Sequence, residues 1–325
     1  MTVSRVINGH DNVREATRER VLRAVRKLAY TPNLAASSLA AGRDTRIALI
    51  YTNPSSSYLS ELLLGALRSA ARTTAQLVID AWDKYDVAAE RAAARALARS
   101  VSGVILPSPM CESAVVLSEL VSAGVPTVAL ASGTSMQGVS RVRVDDFGAA
   151  REITLYLIAR GHRRIGFIRG DPHQNASIHR QEGFRAALQE AGLAPEPELS
   201  QPGFFTYRSG LNAAERLLGM RHPPSAIFAS NDDMAAAAVS VAHRRGLDVP
   251  RDLSVVGFDD TSAATRVWPE LTTIRQPIAA MADAAIDILL REIRHRDGEA
   301  REAVDQVLGY ELVERDSVAP LRQDG

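Results

Sequence analysis

From Thr45 onward, short apolar runs rich in valine and isoleucine alternate with stretches whose apolar residues recur at helical spacing. The first runs are Ile47 to Tyr51, Leu77 to Ala81, Gly103 to Leu106, Thr127 to Leu130 and Val139 to Val144. A second set comprises Arg164 to Ile168, a weak stretch near Gly203 to Thr206, Ala226 to Ala229, Ser254 to Phe258 and Leu271 to Ile274. This alternation predicts β-α units with parallel sheets, and its repetition predicts two doubly wound α/β subdomains. Gly124-Val125-Pro126, Gly161-His162 and Val249-Pro250 punctuate the joints, closing helices and starting strands.

The segment before Thr45 has a different pattern. Val21, Leu22, Val25 and Leu28 share one face of a predicted amphipathic helix over residues 14–30, with basic residues opposite. Thr31-Pro32-Asn33 breaks it, because proline lacks an amide hydrogen, and Leu34 to Ala41 is expected to form a short second helix ending at Gly42.

Composition adds bounds. At 325 residues and 46% hydrophobic, the chain is long enough for more than one core and too apolar for a disordered class. It has no run of about 18 apolar residues and no leader-like start, so a cytoplasmic location without membrane contact is expected. Cys111 is the single cysteine, which excludes an internal disulfide and gives no zinc spacing; no metal or cofactor is expected. Total charge balances at 38 against 38, yet residues 1–46 hold nine Lys/Arg and four acids, a basic head on an acidic body. Such a head suits phosphate neutralisation on DNA. No Gly-x-Ser-x-Gly, phosphate-cradling loop or His pair at metal spacing points to an enzyme.

The first residues, MTVSRVING, place Val3, Val6 and Ile7 toward a small core and leave Thr2, Ser4, Arg5 and Asn8 free, a set suited to the major groove. TVSRVING and TRERVLRAVRKLAYTPNLAASSLAAGR resemble the head and hinge of the LacI (lactose-repressor) family. The likeness continues through GHRRIGFIRG (161–170), ASNDDMAAA (229–237), DLSVVGFDD (252–260), PELTTIRQP (269–277) and LVERDSV (312–318), which resemble that family's type I periplasmic-binding-protein-like sensor body.

The resemblance implies a partial all-α helix-turn-helix head at 1–31, a hinge helix at 32–43, an N-terminal sensor subdomain at 44–145 and 277–307, and a C-terminal one at 146–276 and 308–325. It implies DNA contacts from Thr2, Ser4, Arg5, Asn8 and Asn33, with Leu39 wedged between minor-groove base steps. Ser37 departs from an arginine common in the family. The recognition helix begins at the first residue, so the head is expected to be truncated, through a misassigned start, a chosen boundary or a true shortening.

The implied partners are a palindromic double-stranded operator, a sugar effector and a second copy in a homodimer. Carried over residue by residue, the effector contacts are Tyr58, Arg180, Phe205, Asn231, Asp259 and Gln276, with Asp145, Trp82 and Tyr207 as a second tier. Each has a competing role: Asp259 and Asn231 as helix caps, Phe205 and Tyr58 as core, Arg180 as a surface ion pair, Gln276 as hinge backbone. His162 reads as structural. The function implied is effector-controlled transcriptional regulation, expected to be repression; the alternatives are a sugar-binding protein without DNA output and an α/β enzyme of unknown chemistry.

Overall fold

The computed structural model describes residues 15–27, 45–51, 54–82, 86–131, 133, 135–294 and 302–321. The chain divides into two compact units, residues 1–44 and 45–325. In the first, the predicted amphipathic helix is present as α1 (Glu15–Lys27), with Val21 half-buried and Glu19, Arg20 and Arg23 exposed. Thr2, Ser4, Arg5, Asn8, Asn33 and Leu39, and the hinge at 32–43, lie outside the described residues.

The second unit begins with β1 (Thr45–Tyr51), α2 (Ser56–Ala71), β2 (Ala75–Ala81), α3 (Val87–Ala98), β3 (Gly103–Pro107), α4 (Ala114–Ser122), β4 (Thr127–Leu130) and β5 (Ser140–Val144). It continues with α5 (Asp146–Ala159), β6 (Ile165–Ile168), α6 (Asn175–Glu190), β7 (Ser200–Gln201), α7 (Tyr207–Leu218), β8 (Ala226–Ala229) and α8 (Asp232–Arg244). Last come β9 (Ser254–Asp259), α9 (Ser262–Thr265), β10 (Thr272–Arg275), α10 (Ile278–Arg294), β11 (Asp305–Leu308) and β12 (Glu311–Val313).

Two six-stranded sheets result, ordered β2-β1-β3-β4-β5-β11 and β7-β6-β8-β9-β10-β12. Every pairing is parallel except that of β12 with β10. The central strands β3, β4, β6, β8 and β9 are buried throughout, as helices on both faces of a parallel sheet require. Around each sheet lies a lobe with two cores. In the first lobe, α2 and α10 cover one face and α3 and α4 the other. In the second, α7 and α8 cover one face and α5 and α6 the other, where Phe167 stacks on Phe184 at 4.7 Å between ring centroids.

The chain passes between the lobes three times, at residues 144–146, 275–278 and 308–311. The strand expected near Gly203 to Thr206 is instead the two-residue β7 followed by a loop. Phe204 and Phe205 have φ of 127° and 59°, which a strand cannot hold. β11 and β12 went unread because half-exposed edge strands rich in Asp, Gln and Glu carry no apolar run. No helix among the described residues is long and apolar enough to cross a membrane.

Candidate binding site

Ligands of open parallel sheets sit beyond the carboxyl ends of the strands, where loops and helix starts meet. Both sheets direct those ends at one cavity, about 390 Å³ counting the space open to solvent at its mouth. Tyr58, Arg180, Phe205, Asn231, Asp259 and Gln276 all line it, together with Ser55, Ser108, Ala131, Gln174 and Ala176. Asp145, Trp82 and Tyr207 do not. Asp145 caps α5 through the Gly148 amide, Trp82 packs in the first lobe with its Nε1 donating to Asp80, and the Tyr207 hydroxyl donates to Ser240.

Arg180 organises the second-lobe wall. Its Nε donates to Asp146 Oδ1 at 2.7 Å, one terminal nitrogen donates to the Ser230 carbonyl, and Asp259 Oδ1 lies 3.6 Å away. The guanidinium lies over the Phe258 ring, 3.6 Å from its centroid, so packing fixes the plane of its donors. It is therefore a buried ion pair, not a surface one. Gln276 Nε2 donates to Asp259 Oδ1 at 2.6 Å, which orients that carboxylate from the inter-lobe passage.

Asn231 is both helix cap and wall. Its Oδ1 accepts from the Met234 amide at the start of α8, and its Nδ2 donates to the Phe205 carbonyl. Phe205 packs on Gly170, where a Cβ would fall 2.0 Å from the ring, so only glycine leaves room. Ala131, Phe205 and Asp259, with Asp260 beside it, adopt positive φ. Such backbone is costly in non-glycine residues and clusters where a binding surface is held in a fixed shape.

Two polar atoms of the cavity wall are left without a partner, the Tyr58 hydroxyl and the Gln276 Oε1, both buried. Buried polar atoms nearly always have one, so these mark positions for a ligand's polar groups. Burial pushes Asp259 up to about 7, with Arg180 pulling the other way. Its neighbour Asp232, which accepts from Thr261 and Thr273, is held well above the ordinary carboxylate range by burial and by the charge of Asp259. A raised carboxyl stabilises the fold fully below its ordinary range near 3.8 and loses that contribution as pH rises through about 7.

Around the cavity mouth the lobes are joined by hydrogen bonds. Ser55 and Ser57 donate to the two oxygens of Asp233 at 2.7 and 2.9 Å, Ser108 donates to Gln174 at 2.7 Å, and Asn175 donates to Glu112. The sequence reading missed Asp146, Ser55, Ser108 and Gln174. Ser108 directly follows β3 and Asp146 stands two residues past β5, so position near a strand's carboxyl end was the available signal. Gln174 is contributed by a loop with no such marker. His162, as expected, stands in the second-lobe framework, its ring nitrogens 3.0 Å from Ser225 Oγ and 3.1 Å from the Ala319 carbonyl.

Two family models match the chain: bacterial regulatory proteins of the lacI family at residues 1–33 and the periplasmic binding protein-like domain at 154–318. The HTH-type transcriptional regulator CelR of Thermobifida fusca is 36% identical over 97% of this chain and 94% of its own length. The chain belongs to the LacI family of bacterial transcriptional regulators. Among solved LacI-type structures, a CelR–cellobiose complex shares 33% identity with a TM-score of 0.76, covering 97% of this chain and 95% of that one. The lac repressor dimer bound to operator and the anti-inducer ONPF shares 27% identity with a TM-score of 0.74, covering 98% and 94%. Like its LacI-family relatives, the chain is a regulator and not an enzyme.

Proposed function

We propose that the chain is a cytoplasmic, homodimeric repressor that binds a palindromic operator through residues 1–43 and is released by a neutral sugar held in the inter-lobe cavity. The observation that carries the sugar reading is the pair of unpartnered wall atoms, the Tyr58 hydroxyl and the Gln276 Oε1, beside an Arg180–Asp259 pair. A polyol supplies donors and acceptors to both, while Tyr58 and Phe205 offer apolar faces to its C–H surfaces. The guanidinium is already matched by Asp146 and Asp259, so the wall carries no spare positive charge for a phosphate or uronate. A relative solved with cellobiose supports the same class. We place the lobes at residues 44–145 with 277–307 and 146–276 with 308–325. For the dimer, Leu64, Leu67 and Ile79 stand 49%, 48% and 47% exposed on the first lobe. Regulation requires that the sugar bind one lobe arrangement more tightly than the other.

The test is Tyr58→Phe, read by calorimetric titration against a panel of neutral mono- and disaccharides. Removing an unpartnered buried hydroxyl is expected to leave stability unchanged or raise it by about 1 kcal/mol, while sugar affinity falls about tenfold. A drop in stability with unchanged affinity would make Tyr58 a core residue and remove it from the site.

Affinity should also depend on pH. Sugar hydroxyls donating to Asp259 favour its ionised form, so binding releases a proton where that group is still protonated. Because Asp259 sits at about 7, affinity is expected to rise between pH 6 and pH 8 and then level off. Asp259→Asn should flatten the profile; an equally steep profile in that variant would reassign the titration.

A further inference from the structure

A second concavity lies on the outer face of the second lobe, between α6, the foot of β6 and the 194–200 segment, and shares no residue with the inter-lobe cavity. It encloses about 1090 Å³, counting the space open to solvent at its mouth. Three arginines line it, Arg163 ahead of β6, Arg169 just past β6, and Arg185 on α6. Among the described residues none of the three makes a side-chain hydrogen bond or ion pair, and the Arg169 Nε is buried with no partner at all. Their neighbours behave differently: Arg164 pairs with Glu196, Arg151 with Glu190, and Arg216 donates to Gln201. Glu196 is the single carboxylate on the groove wall, and Arg164 occupies it.

Three guanidinium groups without a protein partner at one groove, one with a desolvated donor, offer a site for an anion, and the fork geometry of arginine matches phosphate. Phe184, Leu188 and Leu199 contribute apolar floor beside them. We infer that this groove is a second ligand site, taking a phosphomonoester whose apolar body rests on that floor while its phosphate bridges Arg169 and Arg185. The chemistry is complementary to that of the inter-lobe cavity, whose own arginine is already matched by carboxylates.

The probe is phenyl phosphate, titrated by calorimetry into the full chain with inorganic phosphate as the comparison. Saturable binding is expected at one site per chain, tighter for phenyl phosphate than for inorganic phosphate. Arg169→Gln and Arg185→Gln should each weaken it about tenfold. Arg208→Gln, an exposed arginine on α7, and Tyr58→Phe in the inter-lobe cavity should leave it unchanged. Arg185 is exposed on a helix surface, so its variant stays informative if Arg169→Gln unfolds; thermal midpoints confirm that each variant is folded. No saturation up to about 10 mM, or equal weakening by Arg208→Gln, overturns the inference. So does binding that Tyr58→Phe weakens and the two groove variants spare, which puts the anion in the inter-lobe cavity.

Discussion

Arg180→Ala is expected to abolish sugar binding and to cost about 3–5 kcal/mol of stability, the usual loss when one partner of a buried ion pair is removed. Arg180 is 4% exposed, and deleting it leaves Asp146 and Asp259 as buried carboxylates without a cation. It also strips the Ser230 carbonyl of its donor and exposes one face of Phe258 to an empty space. Arg180→Met separates charge from volume: it refills the space but leaves the two acids uncompensated, so it should recover only the packing share. Both losses should shrink at pH 5, because protonating Asp259 removes one of the two charges that lack a partner. Urea unfolding at pH 5 and pH 8 checks this, and a deficit that grows on acidification would contradict the ion-pair account.

Asp232→Ala is expected to cost about 2–4 kcal/mol, since each buried donor left without an acceptor loses about 1–3 kcal/mol. Three donors depend on this side chain: the Thr261 amide at 2.7 Å, the Thr261 hydroxyl at 3.2 Å and the Thr273 hydroxyl at 2.7 Å. β9 makes room for it with Gly257, where a Cβ would come within 2.3 Å of the carboxylate. Thr261 follows Asp259 and Asp260, both at positive φ, so freeing it loosens the turn that presents Asp259 to the cavity. Sugar affinity should fall although Asp232 does not line the cavity. Asp232→Asn isolates the proton. The Asp232 carboxyl is raised in the fold, so its stabilising contribution is lost as pH rises. The asparagine variant should unfold with a shallower alkaline decline than the parent, and an unchanged slope would assign that decline elsewhere.

The central strands were legible because a strand buried on both faces must be apolar at every position, as Val104 to Leu106 and Ile165 to Ile168 are. The wall residues were legible for a different reason, the likeness of whole motifs to a known family, and chain periodicity alone marks neither Arg180 nor Gln276. Asp146 shows the limit. Two adjacent acids follow β5, and only three-dimensional packing decides that the first caps a helix while the second meets Arg180. The 203–206 segment misled because two adjacent phenylalanines look like strand, whereas close approach of Gly203 to the Arg169 carbonyl and the ring of Phe205 over Gly170 impose a turn.

The three passages of the chain between lobes bear on how the protein is made. The first lobe is interrupted by more than a hundred residues of the second and is completed only by α10 and β11, whose Met281, Ala285 and Leu289 fill its core. During synthesis from the amino terminus, β1 to β5 therefore emerge with one sheet face covered by α2 alone until residues near 290 have left the ribosome. Translation at about 5–20 residues per second leaves that apolar face partly open for seconds, a window in which chaperone occupancy or temperature decides yield. A single cut in the gene frees neither lobe intact. A permuted chain that begins at α10 would bring the first lobe's segments together and let it close before the second is translated.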